Sequence, residues 1–453
     1  MLKHINASMA QQIEDLQALL RIPSMSRGAA APGMPLGESL HEALTYTLSL
    51  ANRLGFSQTQ SLDGFCGTVD YGDGAEMLGI LVHLDVVPEG EGWTYPPFGA
   101  EIHDGRLYSR GVLDNKSSAV SALYALAAIR DAGLPLSRRV RIIFGCDEEA
   151  GWACMDRYKQ TEPIPDLAFS PDAEYPVVYA ERGILQARYE KPFVSSLRID
   201  CGTAANVIPG TACAKLPAHA LPCLLPPGLS AVCEENILTV IGCGGHASMP
   251  EFAHNALQGL LKVLTEQELP PEDAATIRAL DSLFGMDQHG ERMRLDFSDD
   301  SGRLSLVPTI LQVNETVAAL EMDCRYPLSL SADDLLKQWD SLFGAIGFVR
   351  TNTQNKSGHS VPVNSELVTK LMKVYTEHVG RNVHPLAIGG GTYARAFPNA
   401  VGFGPVREDE PSQCHMPNES MSLADIHENT ILLAKAICVL AGESETTKNH
   451  LGA

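Results

Sequence analysis

A set of histidine and carboxylate residues follows the apolar segments of this 453-residue chain, at positions where buried strands would end. The set consists of His83, Asp85, Asp114, Glu148, Glu149, Asp172 and His415. Open α/β sheets place their sites at the carboxyl ends of the strands, so we expect these side chains to gather at one sheet edge. Without a matching number of buried cations, their charges would need a divalent metal ion. Mixed histidine and carboxylate ligands suit zinc, with manganese or cobalt also compatible.

The spacing of these residues favours one shared site. His83 and Asp85 form a His-x-Asp pair after "GILV", and this spacing puts both side chains on one side of an extended segment. Glu148 and Glu149 follow Asp147 at the end of "VRIIFG", where adjacent carboxylates repel one another. A bound cation would remove that repulsion, whereas Asp147 is assigned only a local hydrogen bond.

Each residue taken singly also has a structural explanation. Asp114 precedes a predicted helix and could act only as an N-cap. His415 could be a loop histidine with one hydrogen bond, and Asp85 could orient His83 within a structural network. Only such ordinary roles are assigned to His103, Asp104, His384 and Asp409.

The elements that must position the set alternate between strand and helix patterns. The apolar run at 77–87 predicts a buried strand, and residues 116–133 have helical spacing that stops at Gly133. The strand "VRIIFG", a helix through "WACMDRYKQ" and the strand "DLAFS" follow. This order predicts an α/β domain with a mainly parallel sheet and helices on both faces.

The pattern of strand and helix signals changes after Gly183, which predicts an inserted domain. Residues 184–354 combine shorter β-type runs with helices, which is typical of an α+β lid. Patterns of the first type return afterwards. We therefore predict that 1–183 and 355–453 form one α/β domain, interrupted by 184–354.

The composition excludes several classes of partner. The chain has 34 Lys and Arg against 55 Asp and Glu, a net charge of −21, which argues against nucleic acid and anionic membranes. No apolar run approaches the roughly 18 residues that span a bilayer. The eleven cysteines form no CxxC pair, so we expect a reduced, cytoplasmic protein. The evenly spaced Cys213, Cys223, Cys233 and Cys243 could form a metal cluster, but we favour buried free thiols.

Several longer motifs carry a family resemblance. They are "HLDVVPEGEGWTYPPFGAEIHDGRLYSRGVLDNK", "GCDEEAGWACMDRY", "FSPDAEYPVVYAERG", "CRYPLS", "GGGTYARAFPNAVGFG" and "CHMPNE". In order and spacing they resemble the PepV-like dinuclear-metal dipeptidases, within the superfamily of acetylornithine deacetylase, succinyl-diaminopimelate desuccinylase and glutamate carboxypeptidase. The resemblance covers nearly the whole chain.

The resemblance implies roles for the set of residues. Asp114 would bridge two metal ions. His83 with Asp172 would complete one ligand set, and Glu149 with His415 the other. Asp85 would lie behind His83 and hydrogen-bond its ring, whereas Glu148 would be the general base that deprotonates a metal-bridging water.

The implied activity is a metal-dependent dipeptidase for short unblocked peptides. An N-acyl-amino-acid amidohydrolase with the same two metal ions is the first alternative, and a metal-stabilised protein without catalysis is the second. The resemblance also implies substrate-binding roles for Asn206, His246 and Arg325 in the lid and for Gly391 and Thr392 in "GGGT".

Two further expectations depend on the same resemblance. A lid of this length is typical of relatives that complete their site without a partner subunit, so we expect a monomer. Asn115 and Ser117 replace the Asp and Gly that usually follow the bridging position. Neither replacement removes a predicted ligand.

Overall fold

The computed structural model describes residues 1–25, 28–192, 195–217, 224–407 and 413–442; Cys223 and Asp409 therefore lie outside the described residues. The chain divides into two compact units. The first unit contains 1–179, 360–386 and 392–453, and the second contains 180–359 and 387–391.

The helices and strands within the described residues have the following bounds. The α-helices are α1 Leu2–Leu20, α2 Glu38–Arg53, α3 Lys116–Asp131, α4 Ala153–Thr161, α5 Ala256–Leu264, α6 Pro271–Phe284, α7 Ala332–Gly344, α8 Glu366–Val379 and α9 Leu423–Ala441. The strands are β1 Gln58–Leu62, β2 Cys66–Tyr71, β3 Met77–His83, β4 Glu101–His103, β5 Arg106–Tyr108, β6 Arg139–Gly145, β7 Leu167–Ser170, β8 Ala173–Glu174, β9 Val178–Glu181, β10 Gly183–Pro192, β11 Arg198–Cys201, β12 Val207–Ile208, β13 Thr211–Lys215, β14 Ser230–Glu234, β15 Ile237–Ile241, β16 Gly245–His246, β17 Ser298–Asp299, β18 Gly302–Arg303, β19 Ser305–Val313, β20 Val317–Tyr326, β21 Val349–Lys356, β22 His359–Ser360, β23 Leu386–Ile388, β24 Ala400–Gly402, β25 Pro405–Val406 and β26 Ser420–Ser422.

The main sheet of the first unit is parallel at its centre. Its strands lie in the order β1-β2-β6-β3-β7-β24-β9. The pairs β6/β3, β3/β7 and β7/β24 are parallel. The flanking pairs β1/β2, β2/β6 and β24/β9 are antiparallel. The parallel strands are the ones that the βαβ pattern predicted, and the sheet as a whole is mixed.

Helices cover both faces of this sheet. Ile80 and Val82 of β3 belong to the large core that also contains α1, α3 and α9, whereas Leu81 belongs to a smaller core with α4. Alternate residues of one strand therefore face opposite layers, which explains why β3 is buried along its whole length. Helix α3 ends before Gly133, whose positive φ of 64° is typical of a helix C-terminus.

The second unit is built on an antiparallel sheet. Its eight strands lie in the order β14-β15-β13-β11-β19-β20-β10-β21. Strand β10 alternates buried and partly exposed residues, as expected for a sheet covered on one face. The buried residues of α5, α6 and α7 join the core of this unit, which includes Trp339 and Phe343. Among the described residues of both units, the helices are too short or too polar to cross a membrane.

Candidate metal centre

Neighbouring parallel strands of the first unit bring the predicted residues to one edge of the sheet. His83 is the last residue of β3, and Asp172 follows the end of β7. Glu148 and Glu149 follow the end of β6. Because β6, β3 and β7 are adjacent and parallel, their carboxyl ends lie side by side.

Asp114 lies between two histidines and presents one oxygen to each. Its Oδ1 is 2.8 Å from His83 Nε2, and its Oδ2 is 3.1 Å from His415 Nε2. The same His83 nitrogen is 3.5 Å from Asp172 Oδ2. The same His415 nitrogen is 3.1 Å from Glu149 Oε1. The structure therefore forms two donor sets that share Asp114, one with His83 and Asp172 and the other with His415 and Glu149.

Asp85 lies behind His83, but its carboxylate contacts other groups than expected. The His83 ring Nδ1 is 2.9 Å from the main-chain carbonyl oxygen of Asp85 and 3.5 Å from its carboxylate. The carboxylate accepts hydrogen bonds from the backbone N–H of Glu148 at 3.1 Å and of Glu149 at 3.0 Å. Asp85 thus positions the segment that carries both glutamates, while its main chain orients the histidine.

The rest of the acidic segment is fixed by local hydrogen bonds. The buried Asp147 carboxylate accepts from the backbone N–H of Gly151 at 3.2 Å and of Ala153 at 2.9 Å, next to the start of α4. Trp152 Nε1 donates to the carbonyl oxygen of Glu148 at 2.9 Å. Asp147 accordingly has the local role that the sequence predicted, and Glu148 is held on both sides of its Cα.

Asn115 connects two of the strand ends that carry ligand candidates. Its side chain is fully buried; Nδ2 donates to the carbonyl oxygen of Pro171 at 2.6 Å, and Oδ1 accepts from the His83 N–H at 3.4 Å. A carboxylate could not donate to that carbonyl. The amide at this position is therefore suited to its surroundings, and it leaves Asp114 available to both histidines.

The electrostatics of the cluster show an excess of negative charge. Burial raises the pKa of Glu148 well above its ordinary value, and the charge of Glu149 adds to the shift. Burial, together with the charge of Asp114, raises the pKa of Asp172 to about 7. Burial alone would lower the pKa of His415, but its hydrogen bonds with Asp114 and Glu149 raise it to about 11. These shifts mark a place where cations are favoured.

The donor set fits divalent metal ions. Ligands about 2.0–2.1 Å from a tetrahedral zinc lie about 3.3 Å from one another. The donor separations described above for the two sets range from 2.8 to 3.5 Å. One ligand atom from each of His83, Asp114 and Glu149 lies within 4.8 Å of the others. Two histidines and three carboxylates could thus hold two ions, with Asp114 in both sets.

A buried ion pair next to this cluster was not predicted from the sequence. Arg110 Nη1 lies 2.7 Å from Glu419 Oε2, and both side chains are almost completely buried. Arg110 lies four positions before the ligand candidate Asp114, and Glu419 lies four positions after His415. That proximity was the available signal, but the two residues are 309 positions apart in the sequence.

Two of the predicted substrate-binding residues lie together in the second unit. The backbone N–H of Ala247 donates to the Asn206 carbonyl oxygen at 2.9 Å, and His246 pairs with Val207 across β12 and β16. His246 Nδ1 is 2.6 Å from Ser248 Oγ, which fixes the ring.

The guanidinium of Arg325 is held by a buried carboxylate of the second unit. Its Nε and Nη2 donate to the two oxygens of Asp323 at 2.7 and 3.0 Å, and its Nη1 donates to the carbonyl oxygen of Gly389 at 2.8 Å. Gly391 belongs to the same unit, whereas Thr392 is the first residue of the next segment of the first unit. Thr392 Oγ1 accepts from the Ala394 N–H at 3.1 Å and so caps a short 3-10 helix.

His103, one of the residues that were assigned ordinary roles, has ordinary surroundings. His103 stacks on Tyr95 with ring centroids 3.9 Å apart, and its Nε2 is 2.8 Å from Glu101. The expectation of buried thiols was wrong for Cys233 and Cys243, which are exposed. Cys233 lies on β14, the outermost strand of its sheet, where one edge faces solvent.

A metallohydrolase is the class of protein that this fold and this donor cluster define. Residues 79–438 match Peptidase family M20/M25/M40, and the chain belongs to this family. The predicted resemblance to the PepV-like metallopeptidases and the predicted α/β class are thereby confirmed.

Relatives with similar sequences match along almost their entire length. YtjP of Bacillus subtilis (strain 168), which carries a provisional dipeptidase designation, is 34% identical over 454 residues, covering 95% of this chain and 97% of YtjP. The Beta-Ala-Xaa dipeptidase of Lactobacillus delbrueckii subsp. lactis is 32% identical over 455 residues, covering 96% of each chain.

A solved structure with the same fold is more distant in sequence. Human carnosine dipeptidase 1 has a TM-score of 0.62 at 15% identity, with 97% of each chain covered. YxeP of Bacillus subtilis, described as a dinuclear metal-binding peptidase of the M20 family, has a TM-score of 0.55 at 10% identity, with 96% of this chain and 98% of YxeP covered. These likenesses show the fold.

Proposed function

We propose that the protein is a dipeptidase that hydrolyses short unblocked peptides with two divalent metal ions. The observation that carries the proposal is the position of the Asp114 carboxylate, whose two oxygens each face a different histidine. One shared carboxylate between two donor sets suits a pair of ions that act together on one bond. The Beta-Ala-Xaa dipeptidase and YtjP, both similar over nearly their full length, support peptides as the substrate class.

The proposed ligands are His83, Asp114 and Asp172 for one ion and His415, Glu149 and the shared Asp114 for the other. Histidine and carboxylate donors favour zinc, and manganese or cobalt would be accepted. When bound, the ions polarise the scissile carbonyl and lower the pKa of a nearby water.

Glu148 is the proposed general base. It takes a proton as the water oxygen attacks the peptide carbonyl carbon, and it gives this proton to the amine nitrogen as the C–N bond breaks. The buried environment that raises the pKa of Glu148 suits a group that must bind and then release a proton. Asp85 and Trp152 hold the main chain on either side of the Glu148 Cα, so the base stays in place through both proton transfers.

Five residues are proposed to contact the substrate, four in the second unit and Thr392 in the first. Asn206, His246 and Arg325 are proposed to bind the peptide backbone, the developing oxyanion and the free carboxylate, together with Gly391 and Thr392. Arg325 supports this role because Asp323 holds its guanidinium in one orientation. We further propose that the enzyme acts as a monomer, which analytical ultracentrifugation tests directly.

The experiment is metal reconstitution followed by a substrate panel. Metal-free protein is loaded with zinc, manganese or cobalt and assayed on dipeptides and on N-acetyl amino acids. We expect faster hydrolysis of dipeptides; a preference for acylated amino acids would replace the proposal with the amidohydrolase alternative.

Glu148→Gln tests the mechanism. We expect this variant to keep two bound metal ions and lose turnover by at least about 10²–10⁴-fold, the usual contribution of a general base. Glu377→Gln, on the exposed surface of α8, is the matched control and should keep full activity. Unchanged turnover in Glu148→Gln would overturn the mechanism.

A further inference from the structure

Stability alone does not explain the buried Arg110–Glu419 ion pair of the first unit. Arg110 is 1% exposed and Glu419 is fully buried. Replacing such a pair by apolar residues is often neutral or stabilising, because both charges lose their hydration. Neither residue belongs to the two donor sets. The hydrogen bonds of the pair show which parts of the chain it holds in place.

The Glu419 carboxylate binds the loop that ends at Asp114. Its Oε1 accepts from the backbone N–H of Leu113 at 2.8 Å and of Asp114 at 3.2 Å. Its Oε2 accepts from the Gly111 N–H at 3.2 Å, in addition to the Arg110 side chain. Three backbone N–H groups within residues 111–114 thus donate to one carboxylate, which fixes the Asp114 backbone.

The Arg110 guanidinium binds the loop that carries His415. Its Nη2 donates to the carbonyl oxygens of His415 at 3.3 Å and of Glu89 at 3.0 Å, and its Nη1 donates to that of Met416 at 3.3 Å. His415 has a positive φ of 66°, which is unfavourable for a residue with a Cβ atom and must be held by its surroundings. Arg110 supplies such contacts.

Within the described residues, this pair joins the loop that ends at Asp114 to the loop that carries His415. We propose that Arg110 and Glu419 are positioning residues that set the separation between Asp114 Oδ2 and His415 Nε2, and hence the affinity of the second metal site. The first site shares Asp114, but its other two proposed ligands lie outside these loops: Asn115 accepts from the His83 N–H and donates to the carbonyl oxygen of Pro171, the residue before Asp172. Loss of the pair therefore weakens one site more than the other.

This inference rests on the proposed function, because it assumes two metal ions, and the two can be tested separately. The measurement is zinc stoichiometry by mass spectrometry after equilibrium dialysis against a series of zinc buffers. Wild-type protein should bind two ions; binding of one or none contradicts the proposed function before any variant is considered.

Arg110→Lys and Glu419→Gln are the informative variants. Lysine keeps the charge but cannot reach all the carbonyl groups that the guanidinium contacts, and glutamine keeps one acceptor oxygen but removes the charge. We expect one of the two zinc affinities to fall by about 10–100-fold, the usual effect of changing a group that orients a ligand. The other affinity should change by less than about threefold.

The matched control is Arg141→Met, which removes another buried guanidinium of the first unit. Arg141 pairs with Asp70 at 2.8 Å and Glu162 at 2.6 Å, away from the donor sets. It should lower the melting temperature without changing either zinc affinity. Equal weakening of both sites in Arg110→Lys and Glu419→Gln, or no weakening in either, would overturn the inference. Circular dichroism identifies a variant that fails to fold. If one variant fails to fold, the zinc affinities of the other variant decide.

Discussion

Replacing Asp85 by asparagine tests how the general base is held. The fully buried carboxylate accepts one hydrogen bond from the Glu148 N–H and one from the Glu149 N–H, at 3.1 and 3.0 Å. An asparagine side chain has nearly the same shape but only one oxygen. One of the two N–H groups would then face an NH₂ group and lose its acceptor.

The size of the effect follows from those two bonds. A buried donor left without an acceptor costs about 1–3 kcal/mol, and the surviving bond, no longer to a charged group, weakens by about 1 kcal/mol. We therefore expect the free energy of unfolding of the metal-loaded protein to fall by about 2–4 kcal/mol. Released from its support, the Glu148 backbone can shift, and a displacement near 1 Å costs about 10²-fold in rate. The loss should appear in kcat, with KM changed little.

Asp147→Asn is the matched control for this substitution. Its carboxylate also accepts backbone hydrogen bonds, from Gly151 at 3.2 Å and Ala153 at 2.9 Å. The assays are urea unfolding and steady-state hydrolysis of one dipeptide for both variants. We expect similar losses of stability but a much larger loss of kcat in Asp85→Asn. Equal losses of kcat in the two variants would refute the argument that Asp85 positions the base.

Other predictions follow from the same unit. Chelation should lower the melting temperature by several degrees and zinc should restore it, because the ions neutralise buried carboxylates. Scanning calorimetry measures both melting temperatures. An unchanged melting temperature after chelation would contradict a bound metal. Asn115→Leu should cost about 1–3 kcal/mol in urea unfolding, because the Pro171 carbonyl loses its donor; a neutral result would show that this contact is dispensable. Trp152→Phe removes the hydrogen bond to the Glu148 carbonyl and should reduce kcat less than Asp85→Asn does; the reverse order would point to Trp152 as the main support.

The sequence predicted the centre of the first unit because that region has short-range signals. Apolar runs at β3 and β6 and the helical spacing of α3 are features of single elements, and alternation between them gives parallel pairing. The antiparallel flanks depend on which strands pair across long separations, and no local pattern encodes that choice. The exposure of Cys233 likewise depends on the position of β14 at the edge of its sheet.

The histidines and carboxylates of the site were predicted as a set because strand ends in such sheets converge. Their supports were harder to find. The Asp85 carboxylate contacts backbone N–H groups, which every residue except proline possesses, so side-chain types contain no signal for it. Arg110 and Glu419 meet only after the fold has brought positions more than 300 apart into contact.

The discontinuous first unit also sets an order in time for the completion of the site. His83, Asp114 and Asp172 lie in the first 172 residues, whereas His415 is made 415 − 114 = 301 residues after Asp114. At about 5–20 residues per second, a ribosome needs roughly 15–60 s for that interval. A growing chain thus has all donors of the first set long before the second set gains His415, and through that time Asp114 has only one of its two histidines.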